Sequence, residues 1–145
     1  IRPVRLIPVT RIEFPITHYH LPGNAIFCCF GCMSSVGALT GVAMLEAFRK
    51  LDKEKNGLFC TSAIAAQVPK HRKTTEQAAT ITVIDGCANK CATKILEKDG
   101  FKVTKSLNLV RDLKIPKTGP FKPFDYSQED MEKTVEAIVT LCEEG

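Results

Sequence analysis

Ile-Thr-Val-Ile-Asp-Gly-Cys-Ala-Asn-Lys-Cys-Ala-Thr-Lys-Ile-Leu-Glu-Lys-Asp, residues 81 to 99, is the stretch from which the fold can be read. Ile81, Val83 and Ile84 form a short apolar run rich in β-branched residues, the signature of a buried strand. Asp85-Gly86 ends it. Apolar positions then recur at helical spacing through Ala88, Cys91, Ala92, Ile95 and Leu96, and Gly100 stands where a helix ends. Strand, tight turn and helix follow one another. Cys87 is placed at the helix start, where the backbone dipole favours a thiolate, and Cys91 one turn later on the same face.

The same alternation extends in both directions. Ala25 to Cys28 reads as a first strand, and Cys29-Phe30-Gly31-Cys32 follows it. Ser34 or Ser35 then caps a helix to about Leu51, with Val36, Leu39, Val42, Ala43, Ala47 and Phe48 inward. After a polar turn (Asp52 to Gly57), Leu58-Phe59-Cys60 is a second strand ending on a cysteine. Ser62 to Ala66 reads as a loop of small residues. Lys70, His71, Arg72 and Lys73 read as a solvated basic loop, and Thr75 to Ala79 as a short helix. Lys102 to Leu109 alternates as a fourth strand, and Leu113 to Tyr126 is a loop interrupted by proline. Ser127 opens the last helix, with Asp130 as its capping-box acid. Its stripe of Met131, Val135, Ile138 and Cys142 makes Cys142 a core residue. Repeated β-α units imply parallel strands joined by right-handed crossovers. The expected fold is α/β: a Rossmann-like open sheet of about four parallel strands with helices on both faces, spanning residues 25–145. Residues 1–24, broken by Pro3, Pro8, Pro15 and Pro22, read as an extended arm. His18 and His20 within it are read as incidental surface residues rather than ligands.

With 145 residues the chain fits one domain, which buries roughly two-thirds of its unfolded surface without help from metal or disulfides. A metal here would therefore serve function rather than folding. The net charge of +4 is mild and its only compact basic run has no aromatic residues within it, which argues against nucleic acid. No apolar run reaches the length of a membrane span, and none near the start resembles a secretory signal. Seven cysteines, an odd number, point to thiols in a reducing compartment, the cytoplasm, rather than to a disulfide framework.

Functional groups of an open parallel sheet gather beyond the carboxyl ends of its strands. Three of the four inferred strands end there in cysteine: Cys28-Cys29 with Cys32, then Cys60, then Cys87 with Cys91. Each segment alone says little; their convergence predicts one sulfur-rich site. Four thiolates suit zinc, a surplus of sulfur also suits an iron–sulfur cluster, and a dithiol redox centre would use Cys87 or Cys29 with a neighbour. Cys29, Cys32, Cys60, Cys87 and Cys91 are the candidate metal ligands. Ser34, Ser35 and Gly86 open helices beside the same edge and are candidates for holding an anionic group. With no histidine, lysine or carboxylate accompanying the sulfurs as an acid–base pair, sensing or binding a protein partner is expected ahead of substrate turnover.

The run Val83 to Ala92, continuing from Lys94 to Phe101, resembles the DGC-domain family, named for its Asp-Gly-Cys. Ser34-Ser35-Val36-Gly37-Ala38-Leu39-Thr40, Phe59-Cys60, Leu113 to Ile115 and Tyr126 to Asp130 fit as well, so the likeness covers about residues 25–144. The resemblance implies zinc binding through four cysteines: one after the first strand, then Cys60, Cys87 and Cys91. The family carries one cysteine shortly before its Ser-x-Val-Gly run, whereas Cys28, Cys29 and Cys32 compete for that place here.

Overall fold

The computed structural model describes residues 21–144. Four parallel strands, β1 (Asn24–Cys28), β2 (Asn56–Leu58), β3 (Thr80–Asp85) and β4 (Lys105–Asn108), lie in the order β2-β1-β3-β4. After β1 the chain crosses to one side to lay down β2, then returns to the other side for β3. The strand order therefore reverses between β1 and β3. Helices α1 (Ser35–Lys50), α5 (Leu109–Leu113) and α6 (Gln128–Glu143) pack on one face. Helices α2 (Thr61–Ala65) and α4 (Cys91–Lys98) pack on the other, with α3 (Pro69–Glu76) beside α2.

The two-residue period of the strands divides the core cleanly. Ile26, Ile84 and Leu107 face α1 and α6, meeting Leu39, Met44 and Ile138. Ala25, Phe27, Ile81 and Val83 face the other way, against Ile64 of α2 and Leu96 of α4. Burying a side chain of the size of Phe27 or Leu39 contributes about 2–3 kcal/mol. At the amino end of the sheet the buried Asn24 side chain donates to Asn56 Oδ1 (2.9 Å) and accepts from Thr82 Oγ1 (2.8 Å). That chain of bonds pins β2, β1 and β3 in one register.

The α/β architecture follows the sequence, and several boundaries move. Pairing places β2 at Asn56–Leu58, opposite Asn24 to Ile26, so Cys60 lies past the strand and begins α2 instead. The basic run belongs to α3, not to a loop: Pro69 starts that helix, and Arg72 reaches the Asp99 carboxylate beyond α4. A short α5 follows β4, capped by Asn108, whose side-chain oxygen accepts from Arg111 N (3.0 Å). The largest correction concerns the opening stretch. Helix α4 begins at Cys91, so Cys87 is neither at a helix start nor on a shared helical face. Residues 86–90 form a turn closed by Lys90 in a left-handed conformation. The capping box of α6 is as expected, Ser127 and Asp130 exchanging side-chain and backbone bonds. Residues 1–20, with His18 and His20, lie outside the described residues.

Two glycines decide how closely the parts approach. A Cβ on Gly86 would stand 2.7 Å from Val36 O, and one on Gly37 would stand 2.0 Å from Gly31 O. Both obstacles are backbone, which cannot swing aside as a side chain can. Gly86→Ala should therefore cost at least about 1–3 kcal/mol, read as a lower midpoint with unchanged slope in urea denaturation. A midpoint equal to that of the parent would contradict the close approach of α1 to the end of β3.

Candidate metal centre

Beyond the carboxyl ends of β1 and β3, where the strand order reverses, lies a crevice of about 360 Å³. Its wall includes Cys29 after β1, Ser34 and Gly37 at the start of α1, Cys87 and Cys91 around the turn before α4, and Lys117 from the loop before α6. Two distant segments thus deliver three thiols to one opening.

The competition among Cys28, Cys29 and Cys32 is resolved by position. The strand period sends Cys28 to the α1/α6 face, where it packs against the core. Burial, aided by the neighbouring Cys29, pushes its thiol up to about 11. Cys29 emerges on the opposite side and lines the crevice. Burial is also the main cause that pushes Cys29 up to about 11; a backbone hydrogen bond from Gly31 opposes it, and Cys91, Asp85 and Cys87 add to the rise. Cys29 thus stands within electrostatic reach of Cys91, Asp85 and Cys87. Cys32 is exposed, its Sγ 3.5 Å from Phe30 O, and stays off the crevice wall.

The turn that aims Cys29 is clamped to α1. Phe30 takes a left-handed backbone (φ 43°), a conformation that costs on the order of 1–2 kcal/mol in a bulky residue. Its N–H donates to Thr40 Oγ1 (2.9 Å), and the buried Thr40 hydroxyl donates in turn to Gly37 O (2.7 Å). Phe30 lies against Gly41, where a Cβ would overlap its ring.

Asp85 is buried and fully engaged. Its carboxylate accepts from Ala92 N (3.0 Å), Thr93 N (3.2 Å) and Thr93 Oγ1 (2.5 Å), capping α4 from a distance. Asn108 Nδ2 donates to Cys87 O (2.7 Å) and fixes the turn from the β4 side. Lys117 Nζ stands 3.6 Å from Cys87 Sγ.

Cys60 is exposed and off the crevice wall, yet it is tied to the same sheet edge. Phe59 N donates to Ile26 O (2.9 Å) and Thr61 Oγ1 donates to Cys28 O (3.0 Å), so both neighbours of Cys60 are fastened to β1. Ser34 caps α1 by accepting from Gly37 N (3.3 Å) while lining the crevice, as does Gly86. Ser35 faces elsewhere: its Oγ accepts from Thr118 N and its N–H donates to Thr118 O, both at 3.0 Å. Among the described residues no group of three or more His, Cys, Asp or Glu side chains is gathered tightly enough to hold a metal ion. The thiols share an edge and a crevice without converging on a point.

A family model for the DGC domain matches residues 25–138. The chain belongs to the DGC-domain family. No curated protein and no solved structure matches it. The Asp-Gly-Cys that names the family can be given physical roles here: the Asp starts α4, the Gly admits the α1 backbone, and the Cys lines the crevice. Sequence reasoning missed Lys117, because only tertiary bonding from the Ser35–Thr118 pair brings that loop to the site.

Burial and charge order the thiols of this DGC domain by reactivity. In metal-free protein at pH 8, iodoacetamide should modify the exposed Cys32, Cys60 and Cys91 well before Cys28 and Cys142, mapped by peptide mass spectrometry. Cys28 and Cys142 keep their protons in the fold up to about 11, against the ordinary 9.0. Above pH 9 the unfolded chain ionises first and holds fewer protons, so stability should fall as pH rises from 9 towards 11. Urea midpoints that stay level across that window would contradict the buried placement.

Proposed function

We propose that the crevice edge of this DGC domain is a thiolate metal site in which Cys29, Cys60, Cys87 and Cys91 hold zinc, and that the protein serves in sensing or in binding a protein partner. The observation that carries the reading is the arrival of Cys29, Cys87 and Cys91 on one crevice wall from two separate segments. Membership of the DGC-domain family supports a metal-binding role through cysteines. The donor chemistry fits: four thiolates form a normal zinc shell, and no imidazole is needed. Placement fits as well, since the neighbours of Cys60 are bonded to β1. Coordination then requires the exposed Cys60 and Cys91 side chains to turn inward, a change of rotamer that surface side chains make readily. Cys29 is favoured over Cys32 because it alone of the two lines the crevice.

Bound zinc supplies a redox-inactive cross-link between the β1 loop, the start of α2 and the Asp-Gly-Cys turn. The chain's own groups do the rest. Lys117 places a positive charge beside Cys87, its Nζ 3.6 Å from the sulfur. The Thr40 bond to Phe30 N keeps Cys29 aimed at the opening. Free thiols in this number suit a reducing compartment, and we place the protein in the cytoplasm. An iron–sulfur cluster is the alternative occupant of the same residues. The shared neighbourhood of Cys29, Cys87 and Cys91 favours, as a second reading, thiol–disulfide chemistry in the crevice.

Protein purified without oxygen and assayed by elemental analysis and absorption spectroscopy separates the three. Colourless protein carrying one zinc per chain is expected, with most of it lost in C29S, C60S, C87S and C91S and retained in C32S and Cys142→Ala. Brown protein containing iron would select the cluster. Metal-free protein with one rapidly alkylated cysteine would select the dithiol reading. Full metal content in both C87S and C91S would overturn the site itself.

A further inference from the structure

The loop from Lys114 to Phe124 that forms one wall of the crevice carries an unusual outer surface. Phe121 and Phe124 are 81% and 84% exposed, and Met33, beside Phe121, is 64% exposed. They are not loose. Phe121 N donates to Met33 O (2.7 Å), Thr118 exchanges two backbone-and-hydroxyl bonds with Ser35, and Thr118 Oγ1 donates to Asp125 O (3.2 Å). The inner side of the loop is thus fastened to the start of α1 while its largest apolar side chains are held out in water. A patch presented by a fixed backbone binds without first losing the freedom of a mobile loop.

The patch runs into the thiol crevice. Met33, Lys117, Gly119 and Pro120 belong to the crevice wall, and Phe121 is the next residue outward. Charge on this rim is mainly positive, with the exposed Asp125 following Phe124 at its far end. Lys114, Lys117 and Lys122 are exposed, and no carboxylate occurs between Lys114 and Phe124. The crevice's own carboxylate, Asp85, is taken up by the first turn of α4. An occupant therefore has to bring its own negative charge and its own apolar groups.

We propose that Met33, Phe121 and Phe124, flanked by Lys117 and Lys122, dock an acidic polypeptide segment that bears apolar side chains and lays one or two of them into the thiol crevice. A polypeptide is favoured over a bilayer or a nucleic-acid strand by the opening: about 360 Å³ holds a few side chains, with three thiols on its wall. Neither a lipid headgroup nor a base-stacked strand has a use for sulfur at that depth. The assignment deepens the partner-binding role proposed above and rests on the crevice being the functional centre. It does not depend on which ion the cysteines hold.

A phage-displayed random dodecapeptide library panned on the full chain, metal-loaded and metal-free, tests it. Enriched peptides should combine Asp or Glu with aliphatic or aromatic residues. Measured by fluorescence anisotropy, their affinity should fall about tenfold or more in F121S/F124S, as expected for aromatic anchors. Leu45→Ser, exposed on the outer face of α1, should leave it unchanged. In K117E/K122E the preference should turn towards peptides with Lys in place of Glu, a reversal that damage to the fold would not produce. Failure to enrich any peptide, or affinity untouched by F121S/F124S, would overturn the proposal. So would phenylalanine-dependent binding to phosphatidylserine vesicles or oligothymidylate in place of peptides. Loss of metal in the cysteine variants with peptide binding intact would leave the docking surface standing, so the two readings fail separately.

Discussion

One carboxylate sets the geometry of this molecule. Asp85 closes β3, and its oxygens take the backbone N–H groups of Ala92 and Thr93 with the Thr93 hydroxyl. Helix N-termini leave such donors without intrahelical partners, and a negative charge there also opposes the helix dipole favourably. The strand must end where the carboxylate leaves it, and the helix must begin where the amides are held. The intervening residues 86–90 have no choice but to turn. That turn puts Cys87 on the crevice wall, and the fixed helix start puts Cys91 there too. Among the described residues, the same bonds engage the one carboxylate of the crevice wall, leaving the opening to sulfur and lysine.

The second constraint is distance. Gly86 lets the backbone of Val36 and Gly37 come close, and Gly37 lets the carbonyl of Gly31 come closer still. Three segments are stacked here: the loop after β1, the first turn of α1 and the turn after β3. Thr40 ties the first to the second, and the Ser35–Thr118 pair brings a fourth segment, the loop with Lys117. Each contact is one or two hydrogen bonds or a missing methyl group. Together they make the position of Cys29 relative to Cys87 depend on the whole carboxyl edge, not on a short local motif.

This explains which features could be read from the chain. The strands β1 and β3, the stripe of α6 and the capping box at Ser127 depend on local period and local bonding, and they appear as the residues imply, whereas in the stripe of α1 Val42 is exposed and Met44 is buried instead. The parallel open sheet and its switch point follow from the alternation of elements. Helix α4 shows where local reading stops. The apolar spacing from Ala88 through Leu96 is equally compatible with a start at Cys87 or at Cys91. Asp85, reaching forward seven residues, chooses the later start. The apolar Leu58 and Phe59 imply a strand that runs on to Cys60, yet pairing with β1 is decided further back, at Asn56. Lys117 had no signal at all, since its loop is held by a bond spanning 83 positions.

Cys28 and Cys29 show how much a one-residue step decides. They are consecutive, both half-buried, and both pushed up to about 11 by burial. Left to themselves both are neutral thiols, chemically quiet at physiological pH. The strand period turns Cys28 toward the core between the sheet and α1. Cys29 faces an opening shared with two further thiols. There a cation can enter and hold the thiolate, offsetting the cost of removing its proton from a partly buried position. The fold thus packs one sulfur against the core and makes its neighbour conditional on what enters the crevice. A conditional thiol of this kind is better suited to registering a bound ion than to serving as a standing nucleophile, and it is this contrast that favours a sensing or binding role for the domain.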